Sequence, residues 1–396
     1  MLSLFLAVAA LVPAPVRADA FAQGNAEFAL DIYGRVAAEK KGNVFCSPYS
    51  ISSALAMTYA GAAGETARQM ARALRLPEPG AAAHAAFGRL TQAFNAEGKE
   101  GRISLVVANA LWGQRGFAFK KEFLDLTSSR YGAGLHELDF QADPDSARKT
   151  INAWVEKATR GRIKGLVPAG LLERRTRLVL TNAVFFKGRW AAAFQKGQTK
   201  SGPFFLGDGG KVDVPLMHQT GDFSYTEGPD LQGLELPYQG GSLSLVILLP
   251  GKPDGLGALE KGLSESALRG WLDRLAPVQV AVALPRFKAE SQFQLGDALQ
   301  AMGMRDAFSQ SDADFSGMDG RRDLYIGAAI HKAFVEVNEE GTQAAAATAV
   351  VMTRMLAVRH RSVDFRADHP FLFLIRDRAT GTILFIGRLT DPAAAS

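Results

Sequence analysis

Runs of β-forming residues and runs with helical spacing follow one another along this chain without regular alternation, and that order limits the folds open to it. Residues 103–112 and 178–186 are β-rich, and residues 242–249 are almost continuously apolar, as a strand covered on both faces is. Val278, Val280, Val282 and Leu284 alternate with smaller or polar neighbours, the period of a half-buried strand. Residues 371–375 and 382–389 flank Arg378-Ala379-Thr380-Gly381 in a hairpin pattern. The helical signals concentrate in the first half. Residues 21–38 place apolar side chains at helical spacing. Ser47-Pro48 marks a helix start, because Ser accepts from free backbone N–H groups and Pro tolerates the first helical position. Ile51, Ala54, Leu55 and Thr58 then face one side, and Gly61 ends the run. Regular alternation would predict a parallel sheet. Its absence predicts a mixed α/β chain of the α+β kind, with largely antiparallel sheets.

Gly and Pro are spread throughout, with no long linker and no internal repeat, so residues 21–396 read as one domain. With 47% hydrophobic residues over 396 positions the chain can bury a large core. Residues 1–20 read as an export signal: the stretch from Leu2 to Val12 is apolar apart from Ser3, and Ala18-Asp19-Ala20 offers small residues where a signal peptidase reads. This predicts a secreted or periplasmic protein. No other apolar run is long and uncharged enough to span a bilayer. Cys46 is the single cysteine, so no intramolecular disulfide can form and core packing alone must hold an exported chain together. Flanked by Phe45 and Ser47, it reads as a small core residue rather than a catalytic thiol. The net charge of +5 comes from scattered Arg, dense only at residues 174–177 and 359–361, with no aromatic–basic interleave. No nucleic-acid partner is expected.

Enzyme signatures are missing. The sequence has no Gly-x-Ser-x-Gly elbow, no His-Glu-x-x-His, no phosphate loop and no Gly-x-Gly-x-x-Gly. The six histidines never fall at i,i+4, and one Cys cannot build a zinc cluster. The expectation is a monomer that is not an enzyme, with no catalytic residue, no metal and no cofactor.

One segment fits no ordinary globular pattern. Residues 341–360, Gly-Thr-Gln-Ala-Ala-Ala-Ala-Thr-Ala-Val-Val-Met-Thr-Arg-Met-Leu-Ala-Val-Arg-His, follow an alternating strand at 331–338. The Ala run has high helix propensity. Its residues are also small enough to slide between two strands, and the Thr-Ala-Val-Val part favours β structure. Periodicity alone leaves both a surface helix and an inserted strand open.

Four segments resemble the serpin family, in its inhibitory, prokaryote-like form. They are Asn43-Val44-Phe45-Cys46-Ser47-Pro48-Tyr49-Ser50-Ile51-Ser52-Ser53-Ala54-Leu55-Ala56-Met57, Thr181-Asn182-Ala183-Val184-Phe185-Phe186-Lys187-Gly188-Arg189-Trp190, Val337-Asn338-Glu339-Glu340-Gly341-Thr342 with the Ala run, and Phe365-Arg366-Ala367-Asp368-His369-Pro370-Phe371. The resemblance implies three mainly antiparallel β-sheets, eight to nine helices and an exposed reactive-centre loop at about 341–362. It implies a serine-protease inhibitor that acts as a suicide substrate: the protease cuts the loop, the loop enters the main sheet as a new strand, and the acyl-enzyme is trapped. Cysteine proteases are a lesser class of target. The competing function is a non-inhibitory relative acting as carrier or chaperone.

The same resemblance assigns residues. The reactive bond falls between Met355 and Leu356, which suits elastase-, chymotrypsin- or subtilisin-like proteases; a register displaced by one makes Arg354 the bait for a trypsin-like protease. The hinge is Glu339, Gly341, Thr342, Ala344, Ala345, Ala346 and Ala347, small and uncharged from Thr342 through the Ala run apart from the polar Gln343, which favours inhibition over the carrier role. Thr342 is expected to turn inward when the loop enters the sheet. A polar shutter under the main sheet is Ser47, Ser50, Asn182 and His331. A breach where insertion starts is Trp190, Arg286 and Glu339. Fourteen extended residues span roughly 46–50 Å, enough to travel most of a large sheet.

Overall fold

The strand Leu178–Arg189 lies inside a six-stranded sheet, and its sequence LVLTNAVFFKGR is buried at ten of twelve positions, as a strand covered on both faces must be. The computed structural model describes residues 16–77, 80–99, 103–132, 134–342 and 362–394. The strands of this sheet run in the order Phe287–Gln294, Ile326–Asn338, Gly341–Thr342, Leu178–Arg189, Ile103–Gln114, Leu135–Leu138. Ile326–Asn338 and Leu178–Arg189 are the central pair, and they run parallel from Ile326 beside Leu178 to Phe334 beside Phe185. Above that point they stop pairing with each other. Gly341–Thr342 fills the gap, antiparallel to both: Thr342 faces Gly188 and Val337, and Gly341 faces Arg189 and Asn338.

Period-2 alternation gives this sheet two faces. Leu178, Leu180, Val184 and Phe186 join the main core, which also holds Ile51, Leu55 and Met57 of the helix Pro48–Tyr59. Val179 and Ala183 join a second cluster with Ile151 and Val155 of the helix Pro144–Ala158. Ser47 caps the first of these helices as its sequence predicts, its Oγ accepting from Ser50 N–H at 3.2 Å.

The other sheet has nine strands. Its path is Val44–Cys46, Ile383–Leu389, Phe371–Asp377, Leu243–Pro250, Leu231–Pro237, Lys211–Gly228, Ala276–Pro285, Val363–Arg366, with Lys200–Phe205 pairing onto Lys211–Gly228. Lys211–Gly228 is 18 residues long and pairs with three neighbours along its length. That long strand joins two of the three expected sheets into one hydrogen-bonded path. Most pairings are antiparallel; those of Leu178–Arg189 with Ile326–Asn338, Ile103–Gln114 with Leu135–Leu138 and Ala276–Pro285 with Val363–Arg366 are parallel. Ten α-helices occur among the described residues, three of them of six residues or fewer, against the eight to nine expected. The first, Val16–Ala38, begins before the expected end of the export signal at Ala20. Cys46 is fully buried, and burial pushes its thiol well up, which keeps it protonated.

Candidate functional site

The top of the central seam is built from the chain on either side of it. Trp190 follows the strand Leu178–Arg189 and donates its indole N–H to the Asn338 carbonyl at 2.9 Å, at the end of Ile326–Asn338. The Trp190 and Phe194 amides reach the carbonyls of Glu340 and Glu339 at 3.0 and 2.9 Å. Glu339 is 3% exposed. Its carboxylate accepts from Arg286 Nε at 2.7 Å, from the Arg286 terminal amino group, and from Thr199 Oγ1. Burial by itself raises this carboxyl, but the Arg286 and Thr199 hydrogen bonds outweigh it and hold the group below its ordinary value. The three residues assigned to the breach, Trp190, Arg286 and Glu339, therefore converge on the turn at Glu339 and Glu340.

Gly341 and Thr342 are locked into that turn. Gly341 has φ +141, and a Cβ there would lie 2.1 Å from the Gly188 carbonyl oxygen. Only glycine permits this approach of one backbone to another. Thr342 is fully buried, and its hydroxyl meets Tyr238 Oη at 2.9 Å. Tyr238 in turn stacks on Trp190, with ring centroids 4.8 Å apart at 9°. The expectation that Thr342 turns inward as the loop enters is corrected here. It is already inside, because Gly188 and Tyr238 leave a slot that a small hydroxylated side chain fills.

Lower on the seam, one polar row crosses it. Asn109 faces Asn182 across the antiparallel pair, and Asn182 faces His331 across the parallel one. Asn182 Nδ2 donates to Asn109 Oδ1 and, at 2.6 Å, to Ser50 Oγ; Asn182 Oδ1 meets His331 Nδ1. His331 Nε2 accepts from the Ser47 amide at 3.1 Å, and Ser47 Oγ donates to the Leu384 carbonyl at 2.7 Å. Since Nε2 accepts from an N–H, the ring proton sits on Nδ1 and donates to Asn182. His331 is fully buried, and burial lowers its pKa to about 3, so it is neutral at any ordinary pH. The four residues that the resemblance assigns to the shutter, Ser47, Ser50, Asn182 and His331, meet in this row. Asn109, Tyr238 and Thr199 were not read from the sequence. Asn109 had one signal, a lone amide in an otherwise apolar run of the strand Ile103–Gln114.

Met355, Leu356 and Arg354, and the hinge alanines Ala344, Ala345, Ala346 and Ala347, lie outside the described residues. Of the residues assigned to the hinge, Glu339, Gly341 and Thr342 lie among the described ones. The geometry amounts to a parallel seam with a buried polar row across it. At its top two residues of a third strand are already seated, held by Tyr238 and closed over by the Trp190–Arg286–Glu339 contacts.

The family model described as Serpin (serine protease inhibitor) matches residues 23–392. An uncharacterized serpin-like protein of Thermococcus kodakarensis is 44% identical over 367 residues, covering 92% of this chain and 84% of that protein. The leukocyte elastase inhibitor of Homo sapiens is 42% identical over 383 residues, covering 94% of this chain and all of that one. Among solved structures, uncleaved ovalbumin superposes with a TM-score of 0.86 at 31% identity, over 94% of this chain and 100% of that one.

Proposed function

Because the chain belongs to the serpin family, a family of protease inhibitors rather than enzymes, we propose that it inhibits serine proteases by a single cut at Met355–Leu356 followed by entry of the loop into the six-stranded sheet. Relatives named as leukocyte elastase inhibitors and the unbranched apolar Met355 both support an elastase- or chymotrypsin-like target.

The observation that carries this reading is the seam. The central strands pair in parallel, with Gly341–Thr342 seated antiparallel between their upper ends. A loop that continues from Thr342 moves down Leu178–Arg189 one position per residue. Residues 343–352 would then face the stretch from Lys187 to Leu178, antiparallel to both neighbours. One parallel pairing is replaced by two antiparallel ones, which are slightly more stable per residue. By alternation from Thr342, the core-facing residues are Ala344, Ala346, Thr348, Val350 and Met352. None is charged, so none opposes burial. Each backbone hydrogen bond gained contributes about 0.5–1.5 kcal/mol net. A dozen of them rivals the whole stability of a typical domain, about 5–15 kcal/mol. The uncut fold is then a kinetic trap, and the cut drives the protease, still acylated, toward the far end of the sheet.

Incubation with leukocyte elastase or chymotrypsin, followed by a denaturing gel, tests this. The expected product is a band of summed mass that survives denaturation, plus a small fragment beginning at Leu356. Complete cleavage with no such band from either protease overturns the proposal.

A further inference from the structure

The helix Pro144–Ala158 packs on the strand Ile103–Gln114, over the face of the sheet that the seam shares. Its Ile151 and Val155 share one buried cluster with Val179 and Ala183 of one central strand and with Ala328 and Ile330 of the other. A strand entering between those two would pass beneath this helix, so the helix must yield before the seam opens. Asn152 ties the helix only to the chain that follows it, exchanging two hydrogen bonds with Val167 at 2.8 and 2.9 Å. An aromatic stack ties it to the sheet. His136, on the edge strand Leu135–Leu138, lies 4.7 Å from the Trp112 ring and 5.5 Å from the Trp154 ring of the helix. Trp112 and Trp154 meet edge-on at 5.5 Å. Trp112 is itself fixed: it is buried, faces His136 across the parallel strand pair, and donates its indole N–H to Thr181 Oγ1 on the central strand at 2.9 Å. His136 thus fills the angle between a buried, hydrogen-bonded ring of the sheet and the one large ring of the helix.

We propose that His136 is a positioning residue for loop insertion, a clip whose contact with Trp154 sets how readily the helix Pro144–Ala158 gives way to the entering strand. The proposal rests on the inhibitor reading above, and it adds a residue that decides how a cut intermediate divides between trapping and release. His136 is only half-buried, so replacing it leaves the cores intact.

The test compares His136→Ala, which removes the ring, with His136→Phe, which restores a ring of similar size. Two quantities are measured on the full-length protein: amide hydrogen exchange in residues 144–158, and the rate at which the uncut protein loses inhibitory activity at a fixed raised temperature. His136→Ala should raise both by about tenfold, the rate equivalent of one aromatic pair, with exchange elsewhere unchanged. His136→Phe should behave as wild type in both. Unchanged exchange and inactivation in His136→Ala would overturn the proposal, as would equal changes in the two variants. If wild-type protein forms no covalent complex with elastase or chymotrypsin, the inhibitor reading fails, and helix exchange still decides whether His136 clips the helix.

Discussion

At the scale of single residues the seam is governed by protons. His331 accepts from the Ser47 amide and donates to Asn182, so its neutral tautomer is built into the fold. Burial lowers its pKa to about 3, against about 6.5 in an unfolded chain. Between those values the unfolded chain takes up a proton that the folded chain does not. Stability is therefore full above about pH 6.5 and falls as pH drops toward 3, by about 1.4 kcal/mol per unit at most. Gln at this position offers one donor and one acceptor and no titration. The loss of stability from pH 6.5 to 5, read from chemical unfolding, should be smaller in His331→Gln than in wild type by about 1.5 kcal/mol. Parallel curves for the two proteins would mean that another group carries the acid sensitivity. Ser47, Ser50, Asn182 and His331 were legible as a group only through the resemblance to the serpin family, since nothing local in the sequence brings the four together. Asn109 was not, because its part depends on which residue lies across the strand pair from it, and pairing register is not written locally in either strand.

Elements set that register, and here the sequence reading was partly wrong. Gly341–Thr342 reads as the start of a free loop, yet it forms a two-residue strand between Arg189 and Asn338. The deciding contacts, Gly188 and Tyr238, lie far away in the chain, which is why no local signal showed them. The strands themselves were legible, since period-2 burial and uninterrupted apolar runs are local properties: residues 242–249 became the wholly buried strand Leu243–Pro250. The observed register makes a sharper prediction than the sequence did. Counting down from Thr342 opposite Gly188 and Val337, residue Thr348 would arrive opposite both Asn182 and His331. Insertion separates those two side chains, and a hydroxyl between them can accept from His331 and donate to Asn182. Thr348→Val keeps shape and removes the hydroxyl. Unsatisfied buried groups cost about 1–3 kcal/mol each, so the cut Thr348→Val protein should melt below the cut wild type by several degrees. The uncut forms should melt together. Equal melting of the two cut proteins would place some other residue, or none, at this crossing.

On the scale of the whole molecule the proposal is a statement about two folds of one chain, and the test must act on one of them alone. Thr342 cannot serve, since it is buried against Tyr238 before any cut and an Arg there would disrupt the uncut protein as well. Ala346 can. It lies beyond the seated residues, and alternation from Thr342 directs it toward the core only if the loop enters. An unpaired charge buried at that point costs several kcal/mol even after relaxation. Ala346→Arg should leave the melting temperature of the uncut protein and the rate of cutting by elastase unchanged. Insertion should then lose its race against deacylation: no covalent band, full recovery of protease activity, and a cut protein without the large rise in melting temperature expected of cut wild type. The two measurements are independent, one on the protease and one on the inhibitor, and they must fail together if entry of the loop is what stops the enzyme. Should Ala346→Arg trap protease at wild-type stoichiometry, the trap does not run through the Leu178–Arg189 and Ile326–Asn338 seam. Should it trap nothing while its cut form still gains full thermal stability, insertion occurs but is not what arrests the protease.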